Sequence, residues 1–253
     1  MLPGLGGPGY PRDGRLRPSR GCPYPARVLL RFPRRRSTPV PQLRAVPKLG
    51  GGVRWLTDLD PGDDDAYRAA VAPLVPEIEG SLGPEVLANR VRRGRSGWRL
   101  EPWGPARATW RERVSEAIRT APPHAVFAVA DVRDCYASIV PTTVMRTLGP
   151  VAAVVVSLLE RLGDAGVRGL PVGPEPSALV SNAVLASVDR ALRASNVRHL
   201  RWVDDVVLWG PRGNVLRALD AAHRSAEDLG LELHPAKTRV LDTCDELRSW
   251  TPS

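Results

Sequence analysis

Lysine is almost missing from this chain. Of 36 basic residues only two, Lys48 and Lys237, are lysines, and the other 34 are arginines. Where charge alone is needed, arginine supplies it. A position that keeps lysine asks for something a planar guanidinium does not offer, a compact charge whose proton affinity shifts readily. Cysteine is scarce as well. Cys22, Cys135 and Cys244 are odd in number, far apart and form no CxxC pair. That excludes a disulfide framework and a cysteine-built zinc site, and suits a reducing cytoplasm. Long apolar runs are lacking: the longest, Val151 to Leu159, is interrupted by Ser157 and is too short to span a bilayer, so no membrane partner is expected. The N-terminus has arginines but no apolar core of the secretory kind. Internal repeats are absent.

What is present is an ordinary globular composition with an unusual distribution of charge. The chain has 253 residues, 43% of them hydrophobic and 25% charged, enough for one large domain or two small ones with a real core. Residues 1–46 hold ten arginines and one acid, Asp13, and so carry the whole net charge of +9, while the remainder has 26 basic and 26 acidic residues and nets zero. The basicity therefore belongs to a Pro/Gly/Arg-rich segment, residues 1–45, expected to be a disordered tail. Such an arm either holds nucleic acid through its phosphates or is a dispensable extension.

Along the body, RAVPKLGGGVRWL reads as a hairpin turning on Gly50, Gly51 and Gly52, with Lys48 and Arg54 near its tip. Asp63, Asp64 and Asp65 open the next helix, where acids suit the positive end of the helix dipole; that explains the acidic run without a metal. Ala108 to Ala121 carries Trp110, Val114 and Ile118 at helical spacing. An apolar strand, Ala125 to Ala130, ends on Asp131. Helices are expected from Val140-Pro141 to Leu148, from Val151 to Leu162 and from Ser177 to Arg193, with a glycine loop over 163–173. RWVDDVVLWG (201–210) reads as a hairpin with Asp204 and Asp205 in its turn. Asn214 would cap a helix running to Leu229, and Gly230 would end it. LELHPAKTRVLD then reads as strand, proline turn and strand. The order predicts an α+β fold, helices against an antiparallel sheet.

Asp131 at a strand end and Asp204 and Asp205 at a hairpin tip would bring three carboxylates together. Their repulsion raises proton affinities and costs stability unless a cation neutralises them. Mg²⁺ suits such a set, and two ions about 3.5–4 Å apart clamp the attacking and leaving oxygens of a phosphoryl transfer. A lone Asp-Asp pair in a turn is common, because Asp tolerates turn geometry. Here it has company. DVRDCYASI (131–139) resembles the first palm motif of reverse transcriptases, GLPVGPEPSALVSNAVLASVD (169–189) the second, WVDD (202–205) the aromatic-x-Asp-Asp signature, GLELHPAKTRV (230–240) the lysine-bearing motif that follows, and VPKLGGGVRWL (46–56) the fingers hairpin. The resemblance covers roughly residues 46–242 and is to the bacterial group that includes intron, retron and abortive-infection enzymes.

The resemblance implies a right-hand polymerase core, with fingers over 46–124 and a palm over 125–253 whose antiparallel sheet is backed by helices. It implies RNA-templated DNA synthesis with an RNA template, a DNA or RNA primer, dNTPs and two Mg²⁺ ions, Mn²⁺ being the substitute. Carried over by residue, Asp131 and Asp204 would hold both metals, Asp205 would support the site, and the Val132 carbonyl would help the nucleotide-side ion. Tyr136 would lie under the sugar and exclude a 2′-hydroxyl. Lys48 and Arg54 would grip the triphosphate, Gly173 would let the backbone approach the nucleotide or template, and Lys237 would lie near the leaving pyrophosphate as its proton donor. This chain departs from its relatives at Val172, where many carry Gln, and at Trp202, where Tyr or Phe is commoner. No thumb is expected between the lysine motif and Ser253, so a partner protein would supply one or the enzyme would work without it. Two rivals stay open: a template-independent or self-primed defence-type polymerase, and a non-catalytic nucleic-acid-binding remnant. A nucleotide cyclase ranks lower, because GGDEF is absent.

Overall fold

The sequence pattern alternates short apolar strands with amphipathic helices, and the computed structural model, which describes residues 41–47, 52–94 and 97–250, turns that pattern into helices on both faces of one antiparallel sheet. The described residues open with β1 (Gln42–Pro47) and β2 (Val53–Asp58), a two-stranded hairpin in which Val46 pairs with Arg54 and Gln42 with Asp58. The strand thus starts inside the segment expected to be tail. Pairing with β2 explains this, together with the exposed Arg44–Asp58 ion pair, Nε to Oδ2 2.9 Å. Most of that tail, residues 1–40, lies outside the described residues, and so do Lys48 and the glycines 50 and 51.

Asp60 caps α1 (Pro61–Val71), its carboxylate accepting from the amides of Gly62 and Asp63. Asp63 and Asp64 fall in the first turn, where the helix dipole favours them. A short 3-10 turn leads to α2 (Val75–Ser81). A second hairpin, β3 (Val91–Gly94) and β4 (Gly97–Leu100), precedes α3 (Trp103–Thr120). β5 (Ala125–Asp131) enters the core, followed by the single turn α4 (Cys135–Ser138), then α5 (Pro141–Leu148), α6 (Ala153–Asp164) and α7 (Glu175–Ala194). The stretch Pro141–Asp164 is long and apolar enough by length and composition to cross a membrane. Here a 3-10 turn at Gly149–Ala152 divides it, and Val144, Val155, Leu158, Leu159 and Leu162 belong to the core.

The hairpin β6 (Arg198–Trp202) and β7 (Asp205–Pro211), the helix α8 (Arg212–Glu227), β8 (Arg239–Val240) and α9 (Cys244–Ser249) complete the chain. The sheet order is β6-β7-β5-β8, all neighbours antiparallel. Alternation sorts its side chains. Ala128, Ala130, Val206 and Leu208 join Val184, Leu185 and Val188 of α7 and Val215 and Ala218 of α8 in one cluster. Phe127, Val129, Val207 and Trp209 join Trp110 and Ala117 of α3 and Leu247 of α9 in another. Each such apolar side chain contributes about 1.5–3 kcal/mol by leaving water. α7 is buried on nearly every side, polar Ser177, Ser181, Asn182 and Asp189 included, so it is the central strut of the fold.

Two local expectations need correction. Asn214 does not cap α8. The helix starts straight off β7 at Arg212, with Pro211 before it, and Asn214 instead donates to the Asn196 carbonyl and accepts from Arg217. The first strand expected in LELHPAKTRV shrinks to a bridge between Leu233 and Val132, because His234-Pro235 turns the chain at once and proline brings no ladder donor.

Two glycines at positive φ separate backbone strain from collision. At Gly230 (φ +75°) an added Cβ meets nothing within 4 Å, whereas at Gly169 (φ +65°) it would lie 2.4 Å from the Tyr136 carbonyl and 2.6 Å from that of Ala137. Gly230→Ala is expected to cost about 1–2 kcal/mol, the left-handed penalty alone. Gly169→Ala should cost clearly more, read from urea midpoints; equal losses would contradict the close approach at Gly169.

Candidate active site

β5 ends on Asp131, which stands directly opposite Asp205, the first residue of β7. Directly opposed residues share a face of the sheet with Cβ atoms roughly 5 Å apart. Both side chains are buried, 3% and 2% exposed. Trp202 pairs with Asp205, so the connection between β6 and β7 has two residues, Val203 and Asp204. Only one of the two expected aspartates is therefore in the turn; Asp205 already belongs to the strand.

Burial and like charge act on Asp204 together. It lines a cavity of about 10 Å³ with Ala130, Val132, Val206 and Arg201. Burial first, and the Asp131 charge second, push its carboxyl up to about 6, while Lys237 and Arg54 pull the other way. Each carboxylate has a cation within electrostatic reach. Lys237, 46% exposed, donates from Nζ to Asp131 Oδ2 at 3.0 Å. Arg107 of α3 lies 5.2 Å from the centre of the Trp202 ring and interacts with Asp205, although burial and then Arg111 lower its own proton affinity. Arg54 reaches Asp204 and Tyr136 electrostatically from β2.

The other expected site residues fall around this end of the sheet. Val132 follows Asp131, its side chain buried and its backbone bridged to Leu233. Tyr136 lies in α4, half-buried, with its phenol pushed up by burial first and then by Cys135 and Asp204. Gly173 adopts φ +125°, a conformation reserved for glycine, and its nearest neighbour is the Thr57 carbonyl, 3.5 Å from where a Cβ would stand. The preceding carbonyl, Val172, accepts from the Thr57 amide at 2.7 Å, so this loop ties the β1–β2 hairpin to α7. Lys48 lies outside the described residues.

Sequence reasoning missed three contributors. Gly169 brings the loop backbone against α4, where the Leu170 amide donates to the Tyr136 carbonyl at 2.8 Å. Val203 has φ +57°, as a II′-type connection requires of its first residue. For a β-branched residue that is a strained state costing on the order of 1–3 kcal/mol. Arg201 is 1% exposed and donates to Asp189, to Asn182 and to the Val203 carbonyl. An arginine next to a strand aromatic reads in sequence as a solvated residue; only Asp189, twelve positions earlier and unaccounted for in an apolar helix, hinted at a partner.

Among the described residues no group of three His, Cys, Asp or Glu side chains forms a ready metal cage. The donor set is smaller: Asp131 and Asp204, close enough that one raises the proton affinity of the other. Two hard oxygen donors that repel each other fit Mg²⁺, which takes one or two carboxylates and completes its shell with water and substrate phosphates.

The central strands of the four-stranded antiparallel sheet thus meet at Asp131 and Asp205, and a glycine loop leads into the buried helix α7. No known family's sequence profile matches the chain, and no curated protein matches it in sequence. Solved structures do. The chain is similar to apo telomerase from Candida tropicalis truncated from its C-terminal domain, with TM-score 0.50 and 10% identity over 79% of this chain and 49% of that one. It is also similar to telomerase from Candida albicans in complex with a TWJ fragment of telomeric RNA, with TM-score 0.51 and 13% identity over 80% and 43%. The chain thus spans less than half the length of these matches. The likeness is one of fold: this chain has a reverse-transcriptase-like fold.

The raised proton affinity of Asp204 has a consequence for stability. The folded value, about 6, lies above the ordinary 3.8, so the folded state binds the proton more tightly and stability falls as pH rises from about 4 to about 6. The ionised form then carries a penalty of about 3 kcal/mol at neutral pH. Asp204→Asn should therefore raise Tm at pH 7.5 in EDTA, with the gain vanishing near pH 4. A variant equal to wild type at both pH values would show that Asp204 is not held in a hostile site.

Proposed function

We propose that the chain is an RNA-directed DNA polymerase, a nucleotidyltransferase that extends a primer 3′-hydroxyl with dNTPs along an RNA template. The observation that carries this reading is the meeting of Asp131, Asp204 and Lys237 at one end of the sheet, within a reverse-transcriptase-like fold. The five ordered motifs support its placement in the bacterial group with intron, retron and defence enzymes.

In the reaction the primer O3′ forms a bond to the α-phosphorus of the dNTP, the bridging bond to the β-phosphate breaks, and pyrophosphate leaves. Two Mg²⁺ ions, or Mn²⁺, held by Asp131 and Asp204 with the Val132 carbonyl, would polarise the attacking and leaving oxygens. The chain's own groups do the rest. Arg54, exposed on β2 and already within the field of Asp204, offers a guanidinium to the triphosphate, and the family resemblance gives Lys48 the same task. Lys237 exchanges its single carboxylate contact for the departing pyrophosphate, whose charge it offsets and whose oxygen it protonates. The Tyr136 ring, fixed because the loop at Gly169 grips its backbone, fills the space a ribose 2′-hydroxyl would need. Gly173 keeps the loop beside Thr57 free of a side chain.

Purified protein with labelled dNTPs, Mg²⁺ and a primed RNA template should give template-dependent product. The Asp204→Ala/Asp205→Ala double variant should reduce it by on the order of 10³-fold. Product that ignores the template would move the chain to the self-primed class, and absence of product with or without template would leave a nucleic-acid-binding module. Tyr136→Val should raise use of rNTPs relative to dNTPs at least about tenfold in kcat/KM; an unchanged ratio would remove Tyr136 from the sugar site.

A further inference from the structure

The polymerase reading above uses the carboxylates and leaves unexplained the most deeply buried cation in the described chain. The Arg201 guanidinium donates from Nε to both oxygens of Asp189 (2.9 and 3.0 Å), from Nη2 to Asp189 Oδ2 (2.8 Å), and from Nη1 to Asn182 Oδ1 (2.9 Å) and the Val203 carbonyl (2.7 Å). The two partner side chains come from α7, and both are 1% exposed. Asn182 in turn donates to the Ala88 and Asn89 carbonyls, and the Arg201 backbone exchanges hydrogen bonds with Glu85 and Leu87. His199 Nε2 stands 3.6 Å from Asp189. Helix, loop and hairpin are thereby locked as one block.

The contact with Val203 is the one that reaches the site. That carbonyl belongs to the peptide joining Val203 to Asp204, so its direction fixes where the Asp204 side chain begins. Val203 holds φ +57°, a conformation a valine leaves when nothing retains it. A charge-assisted hydrogen bond from a guanidinium that cannot move is what retains it.

We propose that Arg201, anchored by Asp189 and Asn182, is a positioning residue for the candidate catalytic Asp204: it clamps the Val203 carbonyl and so holds the turn in its strained state. Its activity arm rests on the polymerase reading; its structural arm does not. Lysine keeps the charge but offers one point of donation where three partners need a fork.

The test combines turnover, Tm and amide hydrogen exchange on the full chain. Arg201→Lys should lower kcat about 100-fold, the loss expected of a slightly misplaced catalytic group, with KM for dNTP within about threefold. Exchange at Val203 and Asp204 should quicken while the β5–β7 ladder from Val206 inward stays protected. Arg201→Met/Asp189→Leu replaces the ion pair with apolar volume, which commonly preserves stability; Tm should stay within a few degrees of wild type while kcat stays low. Adding Val203→Gly to Arg201→Lys should recover at least about tenfold in kcat, because glycine takes positive φ without a clamp. Normal turn exchange in Arg201→Lys, or kcat recovering together with Tm in the apolar pair, would overturn the proposal. A wild type that polymerises nothing would defeat the polymerase reading alone, since turn exchange still decides the clamp.

Discussion

Asp131 and Asp205 oppose each other across the β5–β7 ladder, with Asp204 one residue away, and the surrounding structure is arranged around that repulsion. Like charges directly opposed on a sheet are unfavourable, more so where burial weakens screening. Flanking elements bring cations to the problem: Lys237 from the turn after α8, Arg107 from α3 and Arg54 from β2. The compensation is partial at Asp204, whose carboxyl remains well above its ordinary range. A fold under selection for stability alone would place apolar residues here, as it does at the next positions inward, where Val206 faces Ala130.

Rigidity is the second requirement, since repelling groups separate if their supports give. The supports are unusually stiff. Val206, Val207 and Leu208 are fully or nearly fully buried, α7 passes beneath with almost no solvent-facing side, and the loop before α7 is held on two sides. Gly169 packs on the α4 carbonyls, and Val172 bonds to Thr57 of the outer hairpin. The penalty at Asp204 and the strain at Val203 fall at adjacent residues. A large core and a buried ion network offset both, the pattern expected where local strain serves a site.

Much of this was legible in sequence, for identifiable reasons. Val140-Pro141 marked the start of α5 because proline suits the first helical turn. The glycines over 163–173 marked the loop before α7, and β-branched flanks marked the hairpin carrying Asp204. The β3–β4 hairpin escaped because VRRG lacks apolar alternation and the Trp98–Leu100 alternation in GWRL is too short to announce a strand. Asn214 misled because a good cap residue followed a strand directly, leaving no loop for it to close. The turn was displaced by one residue because Asp is the better turn former by composition, yet pairing of Trp202 with Asp205 puts Val203 there instead. Strand register, a tertiary property, overrode local preference.

The same tertiary view explains why lysine survives where it does. Arg201 contacts a carboxylate, an amide and a backbone carbonyl at once, in full burial, a task for a fixed planar fork that never loses its charge. Lys237 touches one carboxylate oxygen and remains half-exposed, a task for a flexible stem whose contact is easily exchanged. Arginine at 237 would tend to seize Asp131 with two parallel bonds and be slower to release it, whereas lysine at 201 lacks the planar fork that spans its partners. The scarcity of lysine and the burial of one arginine thus follow from one division of labour: the fork fixes the turn, and the point charge stays free to move.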